Sequence, residues 1–134
     1  MGLCAVITAA EAGARVLVVE AAPRFYRGGN SRHVRNMRCA HDSANEVLTG
    51  PYKSQEFLDD LMEVTRGNTD PELARFVIEK SRALWDFMVS HGVRFQQPIS
   101  GTLSLGRTNA FFLGGGRALL NSLYRAADRL AILT

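Results

Sequence analysis

Cysteine is scarce in this sequence: Cys4 and Cys39 are the only two among 134 residues. Two thiols cannot frame a disulfide scaffold, and a reduced, cytosolic compartment is the simpler expectation. Long apolar runs are missing as well. A membrane span needs roughly 18 consecutive apolar residues or more. The mostly apolar start, residues 1–14, is shorter than that and shows no basic leader or cleavage pattern. Strong charge of one sign is lacking: 16 basic against 13 acidic side chains leave a net +3, too little to demand a polyanionic partner. Paired metal-ligand motifs are lacking too. Cys39-Ala40-His41 and His33 offer three ligands without a second motif, so no metal is expected. Nor is there a repeat or low-complexity tract. What is present, 46% hydrophobic and 22% charged residues, fits one globular domain rather than a disordered chain.

The arrangement of residues is more informative than their totals. Leu3, Val6, Ile7 and Ala10 share one face of a helix over residues 3–12, and Gly13 supplies its stop. Arg15-Val16-Leu17-Val18-Val19-Glu20 follows, with a continuous apolar centre, as expected of a strand covered on both faces in a parallel sheet. Helix, glycine turn and buried strand make the second half of a βαβ unit; the strand that should precede the helix is missing. Residues 21–50 show no sustained period and read as a long loop, a feature that is usually functional or disordered. Beyond it, Ser54 caps a helix through Arg66, with Phe57, Leu58, Leu61 and Met62 inward and Gly67 as its stop. Asp70-Pro71 starts another helix, whose stripe Leu73, Phe76, Val77, Leu84, Trp85 and Met88 carries it to His91, a residue placed to favour the helix dipole. Trp85 and Met88 are expected in the core. Residues 93–96 suit a short strand, and 98–116 loop and short strand. A last helix spans Arg117 to Leu130, with Leu119, Leu120, Leu123, Tyr124 and Ala127 inward, before residues 131–134 open a further strand.

Two constellations carry chemistry. A dinucleotide site needs a glycine turn, a helix aimed at the pyrophosphate and an acid closing the second strand to bind the ribose hydroxyls. Glu20 lies 18 residues after Gly2, close to the usual spacing of about 20. Gly2 can be only the last glycine of such a turn, and a buried helix–strand pair ending in a solvated acid reads equally as plain structure. The second constellation is Phe25-Tyr26-Arg27-Gly28-Gly29-Asn30-Ser31-Arg32-His33. Adjacent glycines admit a ligand close to the backbone, the amides of Asn30 and Ser31 can form an anion-binding concavity, and flanking arginines suit phosphate or carboxylate. A surface turn with solvated arginines is the plain alternative.

From Leu17 through Pro23-Arg24-Phe25-Tyr26-Arg27-Gly28-Gly29-Asn30-Ser31-Arg32-His33 to Arg35-Asn36-Met37-Arg38-Cys39-Ala40-His41, the sequence resembles the FAD-dependent tricarballylate dehydrogenases. These look like members of the fumarate-reductase/succinate-dehydrogenase flavoprotein superfamily. The likeness extends to Phe111-Phe112-Leu113-Gly114-Gly115-Gly116-Arg117-Ala118-Leu119 and the helix behind it. The Gly-Gly-Asn-Ser-Arg-His run is its specific part. The resemblance implies FAD as cofactor, and this chain alone is not expected to retain it. Gly2, Glu20, Ala21, Arg27, Gly28, Gly29, Asn30, Ser31, Arg32 and His33 are the cofactor-binding residues it implies. Glu20 would hold the adenosine ribose. The Gly28–Ser31 bend would pass the pyrophosphate and reach toward the flavin, and Gly2 would let helix and strand pack closely. Gly114 to Gly116 is either a helix-entry turn or, by resemblance, a loop bordering a substrate domain.

The expected fold is α/β: a partial Rossmann-like FAD-binding domain, residues 1–134, lacking its first strand and carrying additional helices. It divides into a helix–strand half of a βαβ unit (2–20), a cofactor loop (21–50) and a mainly helical continuation (54–134). The family's first strand, its first two turn glycines and its capping domain have no counterpart here, so the chain is expected to be incomplete at both ends and inactive alone. In the intact parent, hydride would pass between flavin and a polycarboxylate, with a membrane-associated electron-acceptor protein as one candidate partner. A non-enzymatic remnant is an alternative. A nucleic-acid-binding module built on the arginines with Phe25 and Tyr26 is another, although no nucleic-acid motif supports it.

Overall fold

A computed structural model describes residues 2–98 and 105–133; Met1, Thr134 and part of the loop expected over 98–116 lie outside the described residues. Five α-helices are present among them: α1 (Gly2–Glu11), α2 (Ser54–Thr65), α3 (Pro71–Ser81), α4 (Leu84–Ser90) and α5 (Gly115–Arg129). Two short strands, β1 (Asn36–Met37) and β2 (Ala110–Phe111), pair antiparallel, with Asn36 opposite Phe111 and Met37 opposite Ala110. Single 3-10 turns occupy Gly29–His33 and Leu105–Arg107.

The main core forms where α1 and α5 pack together and β1–β2 and α4 close over them. Leu3 and Ile7, one turn apart on α1, meet Leu119, Leu123 and Ala126 of α5, with Met37, Met88 and Phe112 alongside. Every residue expected inward on α5 is buried. Ile7, fully buried, contributes on the order of 1.5–3 kcal/mol by burial of its side chain. A smaller cluster of Ala40, Leu58, Ala74 and Ile78 lies between α2 and α3. Tyr52 is fully buried at its margin, and its hydroxyl donates to Asp60 at 2.7 Å. Burial, then that carboxylate, pushes the hydroxyl pKa well up.

Five expectations need correction. The segment 15–20 is not a strand covered on both faces. It makes one parallel bridge, Leu17 to Leu133, closed by Val18 N–H donating to Leu133 O at 2.9 Å. Leu17 is 67% and Val19 87% exposed, because among the described residues a single neighbour lies alongside. The strand expected over 131–134 is likewise reduced to this one bridge at Leu133, with Ala131 turning at φ +53°. The helix expected over 71–91 is two helices. Ser81 Oγ donates to Ile78 O at 2.6 Å and accepts Ala40 N–H at 3.0 Å, which ends α3 on the neighbouring loop. The buried positions of α3 are Ala74 and Ile78, and Leu73, Phe76 and Val77 are exposed; the larger side chains suggested the wrong face. Ser54 is the first residue of α2, not its cap: Lys53 holds the cap position and makes no side-chain bond. The loop 21–50 does contain regular structure, the turn at 29–33 and β1.

Other expectations hold. Asp70 caps α3 by accepting the amides of Glu72 and Leu73 at 2.9 and 3.0 Å, with Pro71 next. Residues 93–96 run as an extended segment: Phe95 bridges Phe112, and Gln96 N–H donates to Phe111 O at 2.8 Å. Met88 is buried and Trp85 packs against the core.

Candidate flavin site

The loop after residue 20 is fixed to α5 by two close approaches. Gly28 has φ +100°, and a β-carbon there would stand 2.3 Å from Leu120 Cδ1. From the other side, a β-carbon on Gly116 would stand 2.1 Å from Ser31 O. At Gly116 backbone atoms leave no room for a side chain, and at Gly28 the positive φ disfavours one, so the loop lies directly on the first turns of α5. Arg27 adds a third attachment, its guanidinium 3.4 Å from the centroid of the Tyr124 ring, a cation–π contact.

Glu20 ties the same loop to the Val-rich segment. Its carboxylate accepts Ala22 N–H at 3.0 Å and Gly28 N–H at 3.1 Å. These amide bonds, followed by the Tyr124 hydroxyl and the charge of Arg27, hold its pKa below the ordinary carboxylate value. Tyr124 responds in the opposite sense: burial first, then the charge of Glu20, pushes its hydroxyl up. A carboxylate offers about four lone-pair sites, so two amide bonds leave acceptor capacity for a ligand hydroxyl.

A cavity of about 580 Å³ opens between α1, residues 18–20, the loop and α5. Gly2, Glu20, Gly28 and Ser31 all border it. The two constellations, separate in sequence, thus meet at one place. The other implied residues fall elsewhere: Ala21, Arg27, Gly29, Asn30, Arg32 and His33 do not line this cavity. At Gly2 an added β-carbon meets nothing within 4 Å, so no described backbone approaches it closely. Sequence reasoning placed Tyr124 only in the core and passed over Asn36, yet both border the cavity. Tyr124 lies 104 residues from Glu20, and no local pattern links them.

A family model described as an FAD binding domain matches residues 2–131. The chain belongs to this FAD binding domain family. A comparison with the curated proteins finds no match to it. The family places the chain among FAD-dependent oxidoreductases, and the lining of the cavity fits the adenosine end of such a cofactor. An acidic acceptor, small residues and a hydroxyl stand around an otherwise apolar space bordered by Val18, Val19 and Leu123, the combination that small-molecule sites favour.

The remaining titratable candidates of this FAD binding domain have local partners. Both ring nitrogens of His41 face carbonyl oxygens, of Cys39 and Gly50, each at 2.8 Å. His91 is buried and spans the Phe87 carbonyl at 2.6 Å and the Glu11 carboxylate at 3.0 Å. It therefore does serve the end of α4, and it also joins that end to α1. Cys39 is buried, and burial pushes its thiol pKa up. Among the described residues, no three His, Cys, Asp or Glu side chains gather as a metal site, and no helix is long and apolar enough to cross a membrane.

Proposed function

We propose that the cavity bordered by Gly2, Glu20, Gly28 and Ser31 receives the adenosine diphosphate portion of FAD. The observation that carries this reading is the convergence itself: the Gly28 amide donates to Glu20 at 3.1 Å, and both border one cavity with Ser31. Glu20, held as a carboxylate by loop amides, accepts from the ribose. Ser31 donates from the tight bend on α5. Val18, Val19 and Leu123 offer the adenine an apolar surface. The bound flavin supplies the redox step, accepting or giving a hydride; the chain supplies position and charge.

The finer reading is an oxidoreductase of the tricarballylate dehydrogenase type, acting in the cytoplasm on a polycarboxylate and exchanging electrons with a separate acceptor protein. The Gly28-Gly29-Asn30-Ser31-Arg32-His33 run supports it. Residues that would reduce or oxidise a carbon–carbon bond are not assigned within this chain.

The test is FAD titration of the purified chain, followed by quenching of flavin fluorescence. Weak but saturable uptake is expected, weakened about tenfold further in Glu20→Ala and in Ser31→Ala, as for loss of one hydrogen bond in a ligand site. Equal flavin affinity in both variants and the parent would count decisively against the assignment.

A further inference from the structure

We infer that a second cleft, bordered by the cofactor loop and α5 but distinct from the flavin cavity, binds a small organic or inorganic oxyanion carrying at least two negative charges. The cleft measures about 400 Å³ and is bordered by Arg24, Phe25, Arg27, Arg32, Arg117 and Asn121, together with Leu120. Four arginines border one small space. Among the described residues no carboxylate forms an ion pair with any of them. Two acids, Glu20 and Asp128, border an adjoining hollow that shares Arg24 and Arg27. The uncompensated charge is therefore concentrated at Arg32 and Arg117.

Like charges gathered this way repel one another, and an anion relieves the repulsion. Aromatic stacking offsets part of it: Arg117 and Arg32 lie 5.2 and 5.8 Å from the Phe25 centroid, and Arg27 lies over Tyr124. Stacking engages the face of a guanidinium and leaves its in-plane N–H donors available, in the fork that matches carboxylate and phosphate oxygens. Asn121 adds a neutral donor. Phe25 remains 63% exposed despite these neighbours, so the cleft stays open to a ligand. Phosphate and polycarboxylate share this recognition chemistry, and the experiment separates them.

The full chain is titrated calorimetrically with pyrophosphate and, separately, with citrate. Saturable binding of at least one probe is expected, with the tighter probe identifying the source. Arg24 and Arg117 are exposed, so Arg24→Gln and Arg117→Gln spare the core; circular dichroism checks that the fold is kept. Each should weaken the preferred probe about tenfold, as for loss of one charged hydrogen-bonding partner, whereas Arg75→Gln, on the exposed surface of α3, leaves it unchanged. Flavin uptake by Arg117→Gln should match the parent, which keeps this inference separable from the flavin assignment. The inference is overturned by absence of saturable binding of both probes. It is equally overturned by unchanged affinity in both cleft variants, or by an equal loss in Arg75→Gln.

Discussion

The carboxylate of Glu20 is where the charge of one residue organises a loop. Its pKa lies below the ordinary value of 4.5, chiefly through the amides of Ala22 and Gly28. A carboxyl group with a lowered folded pKa adds stability that is fully present above its unfolded value and is lost as pH falls through the folded one. Glu20→Gln, which cannot ionise, should therefore unfold at lower urea than the parent at pH 7. The two midpoints should converge once the pH lies below the folded value. Urea denaturation at both pH values checks this, and a gap of equal size at each would refute it. Gly116 offers a steric counterpart. An added methyl group meets the Ser31 carbonyl oxygen and the Arg32 backbone, neither of which is a flexible side-chain end. Gly116→Ala should cost about 1–3 kcal/mol, the usual range for overpacking. Gly2→Ala, whose methyl group meets nothing within 4 Å, should hold or slightly raise stability. Denaturant midpoints of the two variants decide whether contact or glycine content matters.

Among the elements, α3 is held at its start by a cap and at its end by a neighbour. Asp70 accepts two otherwise unpaired amides, and Asp70→Ala should lower stability by about 0.5–2 kcal/mol; recovery in Asp70→Ser would tie the loss to the cap. That start was legible in the sequence because a cap followed by proline is a local signal. The α5 stripe was legible for the same reason: Leu119, Leu120, Leu123, Tyr124 and Ala127 recur at helical spacing, and all are buried. The end of α3 was not legible. It depends on Ser81 meeting the amide of Ala40, 41 residues earlier, and serine carries no such information by itself. Nor was the open flank of residues 15–20 legible, since an apolar run states a preference for cover and not whether a partner lies there. Of the candidate site, Glu20 and the glycine bend are singled out by spacing and composition. Their joint dependence on α5, through Gly116 and Leu120, arises from packing between segments 85 and 92 residues apart.

Across the molecule, the two apolar clusters differ in extent, and this sets how the structure opens. The larger one joins α1, α4, α5 and both strands around fifteen buried side chains, whereas the smaller holds four, Ala40, Leu58, Ala74 and Ile78. Local opening follows local burial, and regions with few buried apolar contacts open at lower free energy than the core. Amides of α2 and α3 should therefore exchange with solvent hydrogen before those of α5. Ile78→Ala sharpens the test. Removing this side chain should cost about 2–5 kcal/mol, and the loss should fall on α2 and α3 while protection in the middle of α5 changes little. Polar bonds tie the smaller cluster to its surroundings: Glu56 of α2 to Arg107, and Tyr52, whose hydroxyl donates to Asp60, to Arg38. Such bonds contribute roughly 0.5–1.5 kcal/mol each, too little to force α2 and α3 to open only together with α5. Native-state hydrogen exchange read by mass spectrometry distinguishes the outcomes. If Ile78→Ala accelerated exchange equally in α3 and α5, the two clusters would be a single cooperative unit, and the cofactor loop on α5 would depend on every helix in the chain.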